Sequence, residues 1–184
     1  MEGSGVPGAG VESSDDIGVS HYPAILLASL FEGTRYNRLI VTVRAFQKSD
    51  LPGILRIERE SFNRDAWTRE MFVEYAAAVP DLFLVARVGG RIAGYSIACI
   101  TRHGAEIASL GVRPMHRQRG VATALLRGML RKLRRKGANA VWLTVRRRNE
   151  SAIRLYRKIG FVRTATVPNY YKNSSGWRMR MELS

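Results

Sequence analysis

The chain has 184 residues, 46% of them hydrophobic and 24% charged, enough for one well-buried domain and too ordered in composition for wholesale disorder. Its single cysteine, Cys99, excludes an internal disulfide, and no apolar run approaches the roughly 20 residues needed to span a bilayer. The net charge is +15; residues 1–34 hold five acids and no lysine or arginine, so the rest is more basic still and favours an anionic ligand or partner.

Residues 1–38 read as an N-terminal extension. The first twenty or so are rich in glycine, serine and acids and lack periodicity, as a disordered leader does. The patch Ala24-Ile25-Leu26-Leu27-Ala28 is short and preceded by acidic residues, against a secretory signal. A cytoplasmic protein without membrane contact is expected.

A globular domain is expected over 39–184. Leu39 to Phe46 is β-branched and reads as a strand. Ser49 is placed to cap a helix carrying Leu51, Ile54, Leu55, Ile57 and Phe62, and Thr68 to cap a second that gives way near Pro80. Leu82–Val88 and Arg91–Ile100 flank Gly89-Gly90 as a hairpin, and Glu106–Val112 is a further strand. A helix from Val121 to Arg135 buries Leu125, Leu126, Met129, Leu130 and Leu133 and stops at Gly137. Ala140–Val145 is a strand, Asn149 caps a helix ended by Gly160, and Phe161–Val167 and Trp177–Leu183 close the sheet. The order β-α-α-β-β-β-α-β-α-β-β specifies an α/β fold: a single mixed central sheet flanked by helices.

Chemistry concentrates at Leu110-Gly111-Val112, a strand end, and the turn Arg117-Gln118-Arg119-Gly120-Val121-Ala122 that opens the long helix. Helix N-terminal N–H groups lack internal partners and sit at the positive end of the dipole, so this strand–loop–helix is a pyrophosphate cradle. A second segment, Asn149-Glu-Ser-Ala-Ile-Arg-Leu-Tyr156-Arg-Lys-Ile-Gly160-Phe161, follows one helix and one strand later. Asn149 serves equally as an N-cap, and Tyr156 as a core aromatic beside Ala152 and Leu155. His21, His103 and His116 are scattered, so no metal site is expected, and there is no Walker-type string.

Together these segments resemble the GCN5-related N-acetyltransferase (GNAT) superfamily over residues 40–184. The resemblance implies that Leu110, Gly111, Val112, Arg117, Gln118, Arg119, Gly120, Val121, Ala122, Asn149 and Tyr156 hold acetyl-CoA as co-substrate, with Tyr156 the general acid to the departing thiolate. It implies that backbone amides near Leu110 polarise the thioester carbonyl. Ile57-Glu-Arg-Glu-Ser-Phe62, Ala66-Trp67-Thr68 and Asn169-Tyr170-Tyr171 further resemble the protein N-terminal acetyltransferases, above all the ribosomal-protein-alanine (RimI-type) group. Phe62, Trp67, Tyr170 and Tyr171 then become expected walls for a peptide N-terminus, the tyrosine pair in a loop, and a ribosomal protein becomes an expected partner.

One position departs from the pattern. Where RimI-type enzymes carry a glutamate on the fifth strand, this chain has Thr144, which is no base at neutral pH. The resemblance to related N-terminal acetyltransferases, which hold a water from the start of the fourth strand, implies Glu106 as base through that water with Thr144. A solvent-exposed strand-end glutamate is the alternative for this residue, the only acid between Asp81 and Glu150. The alternatives are an acetyltransferase for another amine, such as a lysine side chain or small molecule, and a basic RNA- or ribosome-binding module without catalysis. The runs Arg131–Lys136 and Arg146–Arg148 suit phosphate in either case.

Overall fold

The computed structural model describes residues 40–62, 66–171 and 174–183; the expectations for residues 1–38 fall outside them. The elements are β1 (Val41–Ala45), α1 (Leu51–Ser61), α2 (Arg69–Ala78), β2 (Phe83–Val88), β3 (Arg91–Thr101), β4 (Gly104–Val112), α3 (Val121–Arg135), β5 (Ala140–Arg146), α4 (Glu150–Ile159), β6 (Val162–Tyr171) and β7 (Ser174–Glu182). This is the expected order. Helix starts follow cap chemistry: Thr68 Oγ1 accepts from Met71 N–H at 3.4 Å, and Asn149 Oδ1 from Ala152 N–H at 3.2 Å. Gly137 and Gly160 end their helices at φ +78° and +115°, a region that favours glycine. Ser49 does not cap α1. It lies inside a 3₁₀ turn, Lys48–Asp50, because Asp50 anchors that turn through Arg44 and the Gln47 N–H.

The seven strands form one sheet in the order β1-β2-β3-β4-β5-β7-β6. Every neighbouring pair is antiparallel except β4 and β5. One face packs on α3 and α4 through Leu125, Leu126, Met129, Leu133, Ile153 and Tyr156; the other packs on α1 and α2 through Ile54, Ile57 and Phe72. A two-sided α/β sandwich results, as the interleaved pattern requires.

Two irregularities in this sheet create the site. The β4–β5 ladder consists of Ala105↔Val141 and Glu106↔Trp142 alone, so the later parts of both strands separate. On β4 the pairing jumps from Ser109↔Ile97 to Ile107↔Ala98, which leaves Ala108 as an extra, bulged residue. Ala105 and Ile107 point to the α3–α4 side, whereas Ser109 reaches Tyr95 on the α1–α2 side.

Candidate active site

A cleft of about 610 Å³ opens where β4 and β5 part. Its walls are the free half of β4 (Ile107–Leu110 and Val112), the free half of β5 (Leu143–Arg146), the turn before α3, and the start of α4. Phe62 and Trp67, between α1 and α2, and Tyr170 and Tyr171, on β6, line it as well.

The end formed by α3 is built for an anion. Gln118 and Gly120 both have left-handed backbones, at φ +59° and +84°, and wrap the chain tightly into the helix. A side chain at Gly120 would meet no atom within 4 Å, so the glycine serves the backbone turn and leaves open space above it. The first intrahelical bond is Ala124 N–H to Gly120 C=O at 2.9 Å, leaving the N–H groups of Val121, Ala122 and Thr123 without helical partners. No side chain caps this end and no acid occupies the first turn. Arg117 braces the turn, donating to Ser61 Oγ at 2.9 Å and to the Val112 carbonyl at 3.2 Å. His116 lines the same end; burial, then the charges of Arg113 and Arg119, hold its imidazole below the usual range and therefore neutral.

Tyr156 lies on α4, 8% exposed, with its ring edge-to-face against Phe161 at 5.8 Å. It lines the cleft. Burial, and then the neighbouring Tyr171, push its phenol well above the usual tyrosine value, so it is a protonated hydroxyl at neutral pH. Asn149 caps α4 and also borders the cleft.

Aromatic side chains form much of the remaining lining. Trp67 stacks on Tyr75 at 4.8 Å, and Tyr170 meets Tyr171 edge-on at 4.9 Å. Tyr171 is fixed by a hydrogen bond to the Thr144 carbonyl and by the Arg146 guanidinium 4.2 Å above its ring. These tyrosines do not sit in a loop, as expected, but at the end of β6. Between Val167↔Gly176 and Tyr171↔Ser174 the strand bulges, because Pro168 cannot donate to the ladder and Asn169 is left-handed at φ +50°. The bulge leaves Tyr170 45% exposed.

Thr144 borders the cleft, and its Oγ1 is buried with no partner among the described residues, so a ligand or water can take it up. Three expected residues do not line the cleft. Arg119 is exposed on the turn. Gly111 faces α1: a Cβ there would fall 2.4 Å from the Tyr95 ring, so its missing side chain serves packing and not phosphate approach. Glu106 lies in the paired part of β4, opposite Trp142, before the strands part. Its charge adds to burial in raising the Cys99 thiol and the Tyr75 phenol.

Sequence reasoning missed Glu58 and Ser109, both of which line the cleft. Glu58 carried a legible signal. It follows Ile54 by four positions and Ile57 by one, which puts it on the buried stripe of α1.

The sheet parts between two parallel strands, and an uncapped helix end and a buried phenol both line the gap. The model of the acetyltransferase (GNAT) family matches residues 51–161, and the chain belongs to that family. It is thus an N-acetyltransferase, with acetyl-CoA as co-substrate. The chain is 27% identical over 135 residues to the [ribosomal protein bS18]-alanine N-acetyltransferase of Escherichia coli K12, covering 73% of this chain and 90% of that one. It is 33% identical over 141 residues to the N-alpha-acetyltransferase RimI of Mycobacterium tuberculosis, covering 73% and 86%. Ard1 from Thermoplasma volcanium superposes with a TM-score of 0.74 at 32% identity, covering 78% of this chain and 98% of that one. No group of acidic, histidine or cysteine side chains suited to a metal occurs among the described residues, and no described helix is long and apolar enough to cross a membrane.

Proposed function

We propose that this acetyltransferase acts on the N-terminal α-amino group of a protein, a ribosomal protein being the favoured acceptor. The observation that carries the reading is the mixed lining of the cleft. One cleft is lined by an uncapped helix end, by Tyr156, and by the aromatic side chains Phe62, Trp67, Tyr170 and Tyr171, with Tyr170 exposed to solvent. Such a lining suits an extended peptide end, and two of the relatives named above are a ribosomal-protein-alanine N-acetyltransferase and an N-alpha-acetyltransferase by name.

In this reading the α3 N-terminus, with Arg117, Gln118, Gly120, Val121 and Ala122, holds the pyrophosphate. Leu110 and Val112 flank the pantetheine arm, Asn149 orders the start of α4, and Tyr156 protonates the departing thiolate. Backbone amides of the bulged β4 around Ser109 and Leu110 polarise the thioester carbonyl.

The amine's own chemistry supports the acceptor class. An α-amino group has a pKa near 8 and a lysine near 10.4, so the neutral fraction at pH 7 is roughly 250-fold larger for the N-terminus. A site with few acids therefore suits it. Arg131, Arg134, Arg135 and Lys136 on and after α3 are exposed, and their charge favours approach to a ribonucleoprotein.

The test is acetyl-CoA-dependent labelling of two peptides of one sequence, one with a free and one with a blocked N-terminus. Labelling of the free peptide alone is expected. Labelling of lysine in the blocked peptide alone would overturn the acceptor assignment.

A further inference from the structure

Among the described residues that line the cleft, Glu58 is the sole acid, and it is 2% exposed. Its oxygens are engaged in different directions. Oε2 accepts from the Trp67 N–H at 2.7 Å, and Oε1 accepts the Tyr95 hydroxyl. Tyr95 is wholly buried on β3, and its Oη lies 2.9 Å from Ser109 Oγ, which borders the cleft.

The directions of these bonds follow from proton counting. A phenol has one proton, and Tyr95 donates it to Glu58. Ser109 must therefore be the donor to Tyr95, which leaves the Ser109 lone pairs as its remaining hydrogen-bonding capacity toward the cleft. Every proton along Ser109, Tyr95 and Glu58 points inward. Packing alone does not call for this row, since an apolar residue at 95 would suit its neighbours Phe72, Phe83 and Ile97 at no desolvation cost.

We propose that Glu58 is the proton sink of acetyl transfer, reached from the cleft through Ser109 and Tyr95. The inference rests on the amine-acetylation reading. The acceptor nitrogen forms its bond to the thioester carbonyl carbon and gives one proton to Ser109 Oγ. Ser109 passes its own proton to Tyr95 Oη, and Tyr95 passes its own to Glu58 Oε1. The C–S bond breaks with its electron pair on sulfur, and Tyr156 supplies the proton that makes the thiol. Glu58 then releases its proton to solvent along the same row while Tyr156 regains one, so the amine's proton is balanced by that on the thiol. Ser109 is the group that touches the acceptor; Tyr95 and Glu58 act through it.

The electrostatics agree with this assignment. Burial raises the Glu58 carboxyl above the usual range, although the bonds from Tyr95 and Trp67 oppose it, and a base so raised is better matched to neutral pH. Burial, and then the Glu58 charge, lift the Tyr95 phenol well above its ordinary value, so it stays a hydroxyl between transfers. The titratable groups around Glu58 are Tyr95 on β3, Tyr75 of α2 behind Trp67, and, lining the same cleft, His116, Arg117, Arg146, Tyr156, Tyr170 and Tyr171.

The experiment is the pH profile of kcat from pH 5 to 9 at saturating acetyl-CoA for the wild type, Glu58→Gln, Tyr95→Phe, Ser109→Ala and Glu106→Gln. The acceptor is whichever of a free α-amine peptide and a blocked lysine peptide the wild type turns over. Glu58→Gln and Tyr95→Phe are each expected to lower kcat roughly 100-fold or more and to abolish the acidic limb, with the melting shift caused by acetyl-CoA retained. Tyr95→Phe leaves Glu58 in place, so a merely structural glutamate would not produce the same profile. Ser109→Ala, at a half-buried position, carries the same expectation if a core variant fails to fold. Retention of the acidic limb in Glu58→Gln or Ser109→Ala, or its loss in Glu106→Gln alone, overturns the proposal. Wild-type turnover of the lysine peptide only would overturn the acceptor assignment and leave the variants to decide this one; turnover of neither overturns both.

Discussion

Tyr171 Oη donates a 3.0 Å hydrogen bond to the Thr144 backbone carbonyl, joining the bulged end of β6 to the free half of β5 across β7. This bond fixes the aromatic wall relative to the parted strands. Tyr171→Phe removes it, a loss of about 1 kcal/mol. Steady-state kinetics should show KM for the acceptor rising several-fold while KM for acetyl-CoA stays within twofold. Equal rises in both would contradict this placement.

Tyr156→Phe keeps the ring against Phe161 and removes the proton that burial holds on the phenol. With Tyr156 as general acid, kcat should fall roughly 100-fold, and acetyl-CoA should still raise the melting temperature. A variant with unchanged kcat would assign Tyr156 to packing.

Asn149 caps α4 while bordering the cleft, so its loss has two separable effects. Asn149→Ala should cost about 1 kcal/mol and lower the melting temperature by about 2–4 °C. Asn149→Ser, which can still cap, should recover most of that stability. If serine restores stability but not the KM for acetyl-CoA, the amide itself serves the ligand.

Most of the fold was legible in the sequence because its signals are local. Val121–Arg135 and its stop at Gly137 follow from helical spacing and one left-handed glycine, and the Gly89-Gly90 hairpin from turn chemistry. What escaped depends on distant pairing. Where β4 and β5 part is a matter of register, and that register keeps Glu106 in the ladder, short of the cleft. Ser109 faces α1 only because Ala108 is bulged, and nothing in the run Ala105–Val112 announces a bulge. Tyr170 and Tyr171 looked like loop residues because Pro168 and Asn169 break the strand pattern; a bulge satisfies the same two residues without ending the strand.

Two carboxylates should give opposite pH signatures in stability. Asp50 takes two 2.7 Å bonds from Arg44; burial alone would raise its pKa, but those bonds and the Gln47 N–H hold it below the usual range. A depressed folded value means the pair stabilises above the unfolded pKa of about 4 and is lost as pH falls through the folded value. Asp50→Asn should cost about 2 kcal/mol at pH 7 by urea unfolding, and less in acid. Glu58 has the reverse sign: its folded pKa is raised, so its ionised form burdens the fold above that value and the burden lifts as pH falls. Glu58→Gln should be at least as stable as the wild type at pH 7.5, and that advantage should shrink toward pH 5.

Gly111→Ala places a methyl group 2.4 Å from the Tyr95 ring, the residue linking Ser109 to Glu58. Overpacking there should cost about 1–3 kcal/mol in unfolding free energy. Because Tyr95 must shift, kcat should fall more than KM for acetyl-CoA rises; a stability loss with unchanged kcat would separate this packing from the chemistry.

The most direct measurement uses one peptide carrying both a free α-amine and an internal lysine, incubated with enzyme and acetyl-CoA near pH 7, with the acetyl group located by fragmentation mass spectrometry. Acetylation is expected at the α-nitrogen, with none above the enzyme-free background on the lysine. Acetyl found on the lysine with the α-amine untouched would contradict it.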